Sequence, residues 1–316
     1  MLLIGHRGCS YPGFNQNTIR AFEKVAGEGV PAIEFDVQLC GDGQLVVVHN
    51  LDLEEVSNGK GKVSTTDAEI LQTLYAGKID QGKDRIPFLP EVLDFFASLA
   101  PKVRPAIHLE LKGDGSAKPA GELLKKYVGS GRLRYSDVLT SSFNWQELKN
   151  IRKVCPELKI ALLDGAIRRK VLLGKGGVEV ERYFERIFAY GCEQYMLPRF
   201  SSLTENLELL KTECDDPRIS SLLAEEIKAC LDGKYYTDEL LDTACEMSAA
   251  SVNLWYRTVT PEFIEKAHQK GLAVLVYTVN SPEELLAQAN IGVDGIFTDC
   301  YLQSAQVLAQ YINPLH

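Results

Sequence analysis

Two histidines, three acids and two basic residues carry the chemistry that this sequence can do. His6 and Arg7 stand side by side after the short apolar run "LLIG", and His49 ends the apolar run "QLVVVH". Histidine titrates near neutral pH, so two of them at strand ends suit proton transfer in both directions. Arginine offers a planar fork that matches phosphate oxygens. In "AIEFDVQL" (32–39), Glu34 and Asp36 are two residues apart, and in "AIHLELK" (106–112) so are His108, Glu110 and Lys112. Side chains alternate across a strand, so each set shares one face. Carboxylates gathered on an inward face repel one another unless a cation joins them. Two arrangements relieve this: a hard divalent ion bound through oxygens, Mg²⁺ or Ca²⁺, or an internal salt bridge to Lys112.

Such residues need rigid elements to bring them together. Apolar runs at 2–5, 32–39, 106–112, 137–143, 159–164, 250–255, 272–279 and 293–299 alternate with amphipathic patterns. These predict strands and helices respectively, and the alternation implies parallel strands joined by crossover helices. The run at 44–50 follows the turn-forming "GDG" and reads as the return arm of a hairpin. The remaining eight strands predict an α/β fold closed as a (β/α)8 TIM barrel, against the rival of an open doubly wound sheet. The whole chain, 1–316, is read as one domain. Residues 51–88 are polar and turn-rich, and predict a small excursion on the rim. Residues 165–245 carry several amphipathic segments and predict a helical insertion between barrel strands five and six. That insertion is expected to lie next to the substrate pocket.

Composition narrows the partners. The 316 residues include 34 basic and 43 acidic ones, for a net charge of -9, which argues against nucleic acid. No apolar stretch reaches the length of a membrane span, and no secretory signal pattern opens the chain, so a cytoplasmic location is expected. No protein partner is predicted. The eight cysteines are scattered without metal-ligand spacing and read as free thiols.

The order "HRG", "NT-x-x-AF", "ExD", "DG-x-x-VV-x-H", "ELK" is specific, and later stretches continue it: "NGKG", "IPFLPEVLDF", "SSF", "VTPEFIEKAHQKGLAVLVYTVN" and "GVDGIFTD". In these motifs the chain resembles the glycerophosphodiester phosphodiesterase family over residues 2–163 and 246–300. The resemblance implies a TIM-barrel enzyme that uses a divalent metal ion, Mg²⁺ or Ca²⁺, to cleave a small phosphodiester. His6 and His49 would be the acid–base pair. Glu34, Asp36 and Glu110 would hold the metal, and Arg7 and Lys112 would contact the phosphate. Tyr277, where the family usually has tryptophan, would pack on the alcohol moiety together with Phe143. Two positions depart from the family: Gln16 and Asn50 each replace an acid by its amide. A phospholipase D-type activity on lysophospholipids or sphingolipids is the enzymatic alternative, and a degenerate phosphate-binding scaffold the non-enzymatic one.

Overall fold

The structure is a computed structural model that describes residues 1–11, 13–77, 84–164, 236 and 238–312. Its nine strands are β1 (Leu2–Gly5), β2 (Ala32–Leu39), β3 (Leu45–Val47), β4 (Ala106–Leu111), β5 (Val138–Ser142), β6 (Lys159–Asp164), β7 (Ser251–Trp255), β8 (Ala273–Tyr277) and β9 (Gly295–Thr298). Eight of them are parallel, and β1 pairs with both β9 and β2. That second pairing closes the sheet into a barrel and excludes the open, doubly wound alternative. The antiparallel β3 extends β2 as the hairpin arm, with Val37 opposite Val47.

Strand parity separates the two faces. Ile33, Phe35 and Val37 of β2, and Ile107, Leu109 and Leu111 of β4, join the main core between barrel and helices. Residues of opposite parity point inward. Glu34 then lies beside His108 in register, and Asp36 beside Glu110. The barrel floor is sealed by a separate apolar cluster of Ile4, Ala32, Leu275 and Phe297. The polar side chains therefore stand above an apolar plug, toward the strand C-termini where barrels of this class carry their chemistry.

Helices follow the strands in order. The first, Ile19–Gly27, begins at Thr18, whose Oγ1 accepts from the Ala21 N–H at 3.3 Å, and it buries Ala21, Phe22 and Val25. Residues 51–88 supply short helical turns at Leu53–Val56 and Ala68–Leu71. Their own small core includes Leu53, Val63, Leu71 and Phe88. The helical insertion expected over 165–245 lies mostly outside the described residues. Its described C-terminal part, Asp238–Glu246, is a barrel helix, with Leu240, Leu241 and Ala244 in the main core. Cys9, Cys40, Cys155, Cys245 and Cys300 are free thiols. Among the described residues no helix is long and apolar enough to cross a membrane.

Candidate active site

β1 delivers His6 and Arg7 through a tight turn. Arg7 has φ 53° and Gly8 φ 80°, both left-handed. A side chain is uncommon there, and the cost is borne where surrounding contacts hold it. The Arg7 N–H donates to Glu34 Oε2 at 3.1 Å, and the Arg7 carbonyl accepts from the Asn17 N–H at 2.8 Å. A Cβ at Gly8 would meet Phe22 Cδ1 at 2.8 Å, so the turn packs directly onto the first helix.

Glu34, Asp36 and Glu110 converge as the sequence predicts: one oxygen from each lies within 4.8 Å of the others. Asp36 is wholly buried, fixed by Asn17, whose Nδ2 donates to Oδ2 at 2.9 Å. Arg7 Nε lies 3.3 Å from the same oxygen. Glu34 Oε1, Asp36 Oδ1 and Glu110 Oε1 are buried and accept no hydrogen bond from the described residues. Unsatisfied buried acceptors are costly. One such oxygen on each of three converging carboxylates matches the donor chemistry of a hard divalent cation. Lys112 offers the other relief anticipated from sequence. Its Nζ lies 3.5 Å from Glu110 Oε1 and 3.8 Å from Asp36 Oδ1. Both arrangements are thus served by one cluster.

The electrostatics follow from this crowding. Burial, then the neighbouring Asp36 and Glu110, push Glu34 well above the usual carboxylate range. Burial likewise raises Glu110 to about 7, with Lys112 opposing. Burial would raise Asp36 too, but His49, Arg7 and Lys112 outweigh it and hold Asp36 low. His49 is pushed well below its ordinary value by burial and by the positive charges of Arg7 and Lys112.

The two histidines flank the acids in the same sense. His49 Nδ1 donates to Asn50 Oδ1 at 2.6 Å, because the Asn50 amide nitrogen is turned to Glu55. His49 Nε2 accepts from Lys112 Nζ at 2.9 Å. His6 Nδ1 lies 2.8 Å from Asp299 Oδ1, and its Nε2 faces Glu34 Oε2 at 3.9 Å. Phe143 and Tyr277 meet edge to face, with ring centres 6.1 Å apart, on one side of the rim. Phe143 is 40% exposed, and the Tyr277 hydroxyl donates to the Asp164 carbonyl at 2.8 Å.

Three residues of this network lie in the quoted motifs but had no role assigned from sequence: Asn17, Asp299 and Asn280, whose Nδ2 donates to Asp299 Oδ2 at 2.8 Å. Asp299 directly follows β9, at the end of "GIFTD", and a strand-ending acid was the signal available. Gln16, at the position of a family acid, belongs to the same network. It stands behind His6, donating to Asp299 Oδ1 at 3.0 Å and to Ser10 Oγ at 2.7 Å.

A closed parallel barrel whose rim gathers carboxylates, two histidines and two cations defines the class of barrel phosphodiesterases. The family model described as "Glycerophosphoryl diester phosphodiesterase family" matches residues 6–171 and 207–301. The chain belongs to that family and is a phosphodiesterase. A glycerophosphodiester phosphodiesterase from Caldanaerobacter subterraneus is 27% identical over 307 residues, covering 94% of this chain and 93% of that protein. Two solved structures share the fold. One is a putative glycerophosphoryl diester phosphodiesterase from Silicibacter pomeroyi, at 23% identity and TM-score 0.66, covering 98% of this chain and 94% of the other. The second is a phosphodiesterase from Oleispira antarctica in complex with the product sn-glycerol-3-phosphate. It stands at 18% identity and TM-score 0.67, covering 98% and 97%.

Proposed function

We propose that this phosphodiesterase hydrolyses glycerophosphodiesters to sn-glycerol 3-phosphate and an alcohol, with His6 and His49 as its acid–base pair. The observation that carries the reading is the placement of His6 and His49 on either side of three converging carboxylates, Glu34, Asp36 and Glu110. Those three carboxylates would hold one Mg²⁺ or Ca²⁺, which supplies Lewis-acid polarisation of a phosphoryl oxygen and a fixed point for the diester. The chain's own residues do the rest. Arg7 and Lys112 bind the phosphate and stabilise its growing charge. Each histidine carries its proton on Nδ1. His6 turns Nε2 toward Glu34, and His49 Nε2, which accepts from Lys112 Nζ, becomes open when Lys112 turns to the phosphate. Each can then accept a proton from, or return one to, a group held at the cluster. Returning a proton matters because an alkoxide is a poor leaving group. Tyr277 and Phe143 present an apolar wall to the departing alcohol. The exposed face of Phe143 also leaves room for longer apolar chains, which keeps a lysophospholipid as the second substrate class.

The test is a product assay over glycerophosphocholine, glycerophosphoethanolamine, glycerophosphoglycerol and a lysophospholipid, each with Mg²⁺, Ca²⁺ or chelator. Release of glycerol 3-phosphate that stops with chelator is the expected result. Release unaffected by chelator would overturn the metal assignment. No turnover of any diester with either ion would overturn the function.

A further inference from the structure

Asp299 is 3% exposed, and three side-chain donors converge on its two oxygens. Oδ1 receives His6 Nδ1 at 2.8 Å and Gln16 Nε2 at 3.0 Å, and Oδ2 receives Asn280 Nδ2 at 2.8 Å. The Asn280 amide is itself fixed, because its Oδ1 accepts from the Asp299 N–H at 2.8 Å. The carboxylate is therefore clamped from both sides by amides and aimed at one ring nitrogen. We propose that Asp299 is the positioning residue for His6, and that Gln16 and Asn280 form the clamp that makes it so. The inference rests on the phosphodiesterase reading above, in which His6 moves a proton at the carboxylate cluster.

The physical argument is about orientation and tautomer. An ionised carboxylate only accepts, so the proton of a neutral His6 must sit on Nδ1. The Nε2 lone pair is then left facing Glu34, where a substrate group would be held. Burial would favour a protonated Asp299, but His6 and Asn280 outweigh it and keep the acid ionised. The clamp also explains an amide at position 16. A glutamate there would bring a second carboxylate to about 3 Å from Asp299 Oδ1 with no donor between them. Two carboxylates that close share one proton, and the geometry behind His6 changes.

Asp299→Asn tests this sharply. Asparagine has one accepting and one donating end. Its NH₂ cannot turn to Asn280, whose Oδ1 is held by the backbone N–H of residue 299 and whose NH₂ is thereby fixed there. The Gln16 amide can turn, because its other partner, the Ser10 hydroxyl, can donate as well as accept. The new NH₂ therefore faces His6 and Gln16. Nδ1 must then accept, and the imidazole proton moves to Nε2, the wrong side for proton transfer at the cluster. The experiment is ¹⁵N NMR of the histidine rings at alkaline pH in wild type, Asp299→Asn and Gln16→Glu. It is joined by kcat and KM on a glycerophosphodiester and by metal affinity from calorimetry.

We expect wild-type His6 as the Nδ1–H tautomer and the Asp299→Asn ring as Nε2–H. We also expect kcat to fall about 10³-fold or more in Asp299→Asn, with KM and metal Kd within about threefold. Gln16→Glu is expected to fold and to lose kcat about tenfold, again with metal affinity kept. Wild-type His6 found as Nε2–H would overturn the proposal without any variant. An Asp299→Asn protein with unchanged tautomer and near-wild-type kcat would also overturn it. So would a kcat loss that tracks lost metal affinity, which marks a structural role. Should the tautomer switch occur while His6→Ala retains full turnover, the positioning stands and the acid–base assignment of His6 fails.

Discussion

The ammonium of Lys112 lies 2.9 Å from Nε2 of His49, and the same Nζ is 3.5 Å from Glu110 Oε1 and 3.8 Å from Asp36 Oδ1. One side chain thus serves two acids of the cluster and occupies the working nitrogen of a histidine. Replacing it with methionine removes positive charge from the carboxylates and leaves His49 Nε2 unmasked. Lys112→Met is expected to unfold at lower temperature in chelator, by about 1–3 kcal/mol of stability. Its stabilisation by added Mg²⁺ or Ca²⁺ should exceed that of wild type, because the ion no longer competes with Nζ. Thermal unfolding with and without metal reads both, and equal metal-induced shifts in the two proteins would show that Lys112 is not a counter-ion.

Proton and metal compete for the same oxygens. Glu110 is raised from 4.5 to about 7 by burial, and Glu34 is raised by burial with Asp36 and Glu110. A folded pKa above the unfolded one means the folded state holds the extra proton between them. The metal-free protein therefore loses stability as pH rises from 4.5 through about 7. Metal takes the place of those protons, so the rise in Tm on adding Mg²⁺ or Ca²⁺ should be small near pH ~5 and large near pH ~8. Glu110→Gln should lose the metal-induced rise and flatten the pH dependence of the metal-free protein. A metal effect independent of pH would contradict the cluster's assignment.

His6→Ala and His49→Ala should each lower kcat by about 10² or more. Unfolding temperatures and metal affinity should stay close to wild type, since neither ring is a core side chain. Steady-state kinetics on purified variants decides this. Wild-type-like turnover in either one would remove that histidine from the acid–base pair.

Asn50→Asp puts a carboxylate behind His49 where a neutral amide now accepts from Nδ1 at 2.6 Å. His49 is held well below its ordinary value, and a new negative charge moves it upward. The acidic limb of the kcat/KM profile is expected to shift to higher pH while activity persists. An inactive wild type switched on by this substitution would instead identify a retired enzyme.

Gly8 has φ 80°, and a Cβ there would sit 2.8 Å from Phe22 Cδ1. Gly8→Ala strains the backbone and pushes on a buried ring at once. The expected cost is about 1–3 kcal/mol of stability, with a fall in kcat because His6 and Arg7 share the displaced turn. Urea unfolding and kinetics measure the two effects, and a Gly8→Ala protein indistinguishable from wild type would show that the turn is not held tightly.

Much of this site was legible in one dimension because a strand has a period of two. That period put Glu34 with Asp36 and His108 with Glu110, and the strand ends put His6 and His49 at the rim. The alternation of apolar runs with amphipathic ones predicted the barrel, and the structure has it. Closure itself was not legible, since pairing β1 with β9 joins residues nearly 300 apart in sequence, and no local pattern records such a pairing. Parity likewise showed that the acids share a face but not which oxygens remain unsatisfied. The partner of His6 was beyond reach for the same reason. Asp299 and His6 are separated by 293 positions, and only barrel closure brings them to 2.8 Å. Sequence therefore determined which residues face inward at the rim. Tertiary structure decided which of them touch, because hydrogen bonds between distant strands depend on register and closure rather than on local pattern.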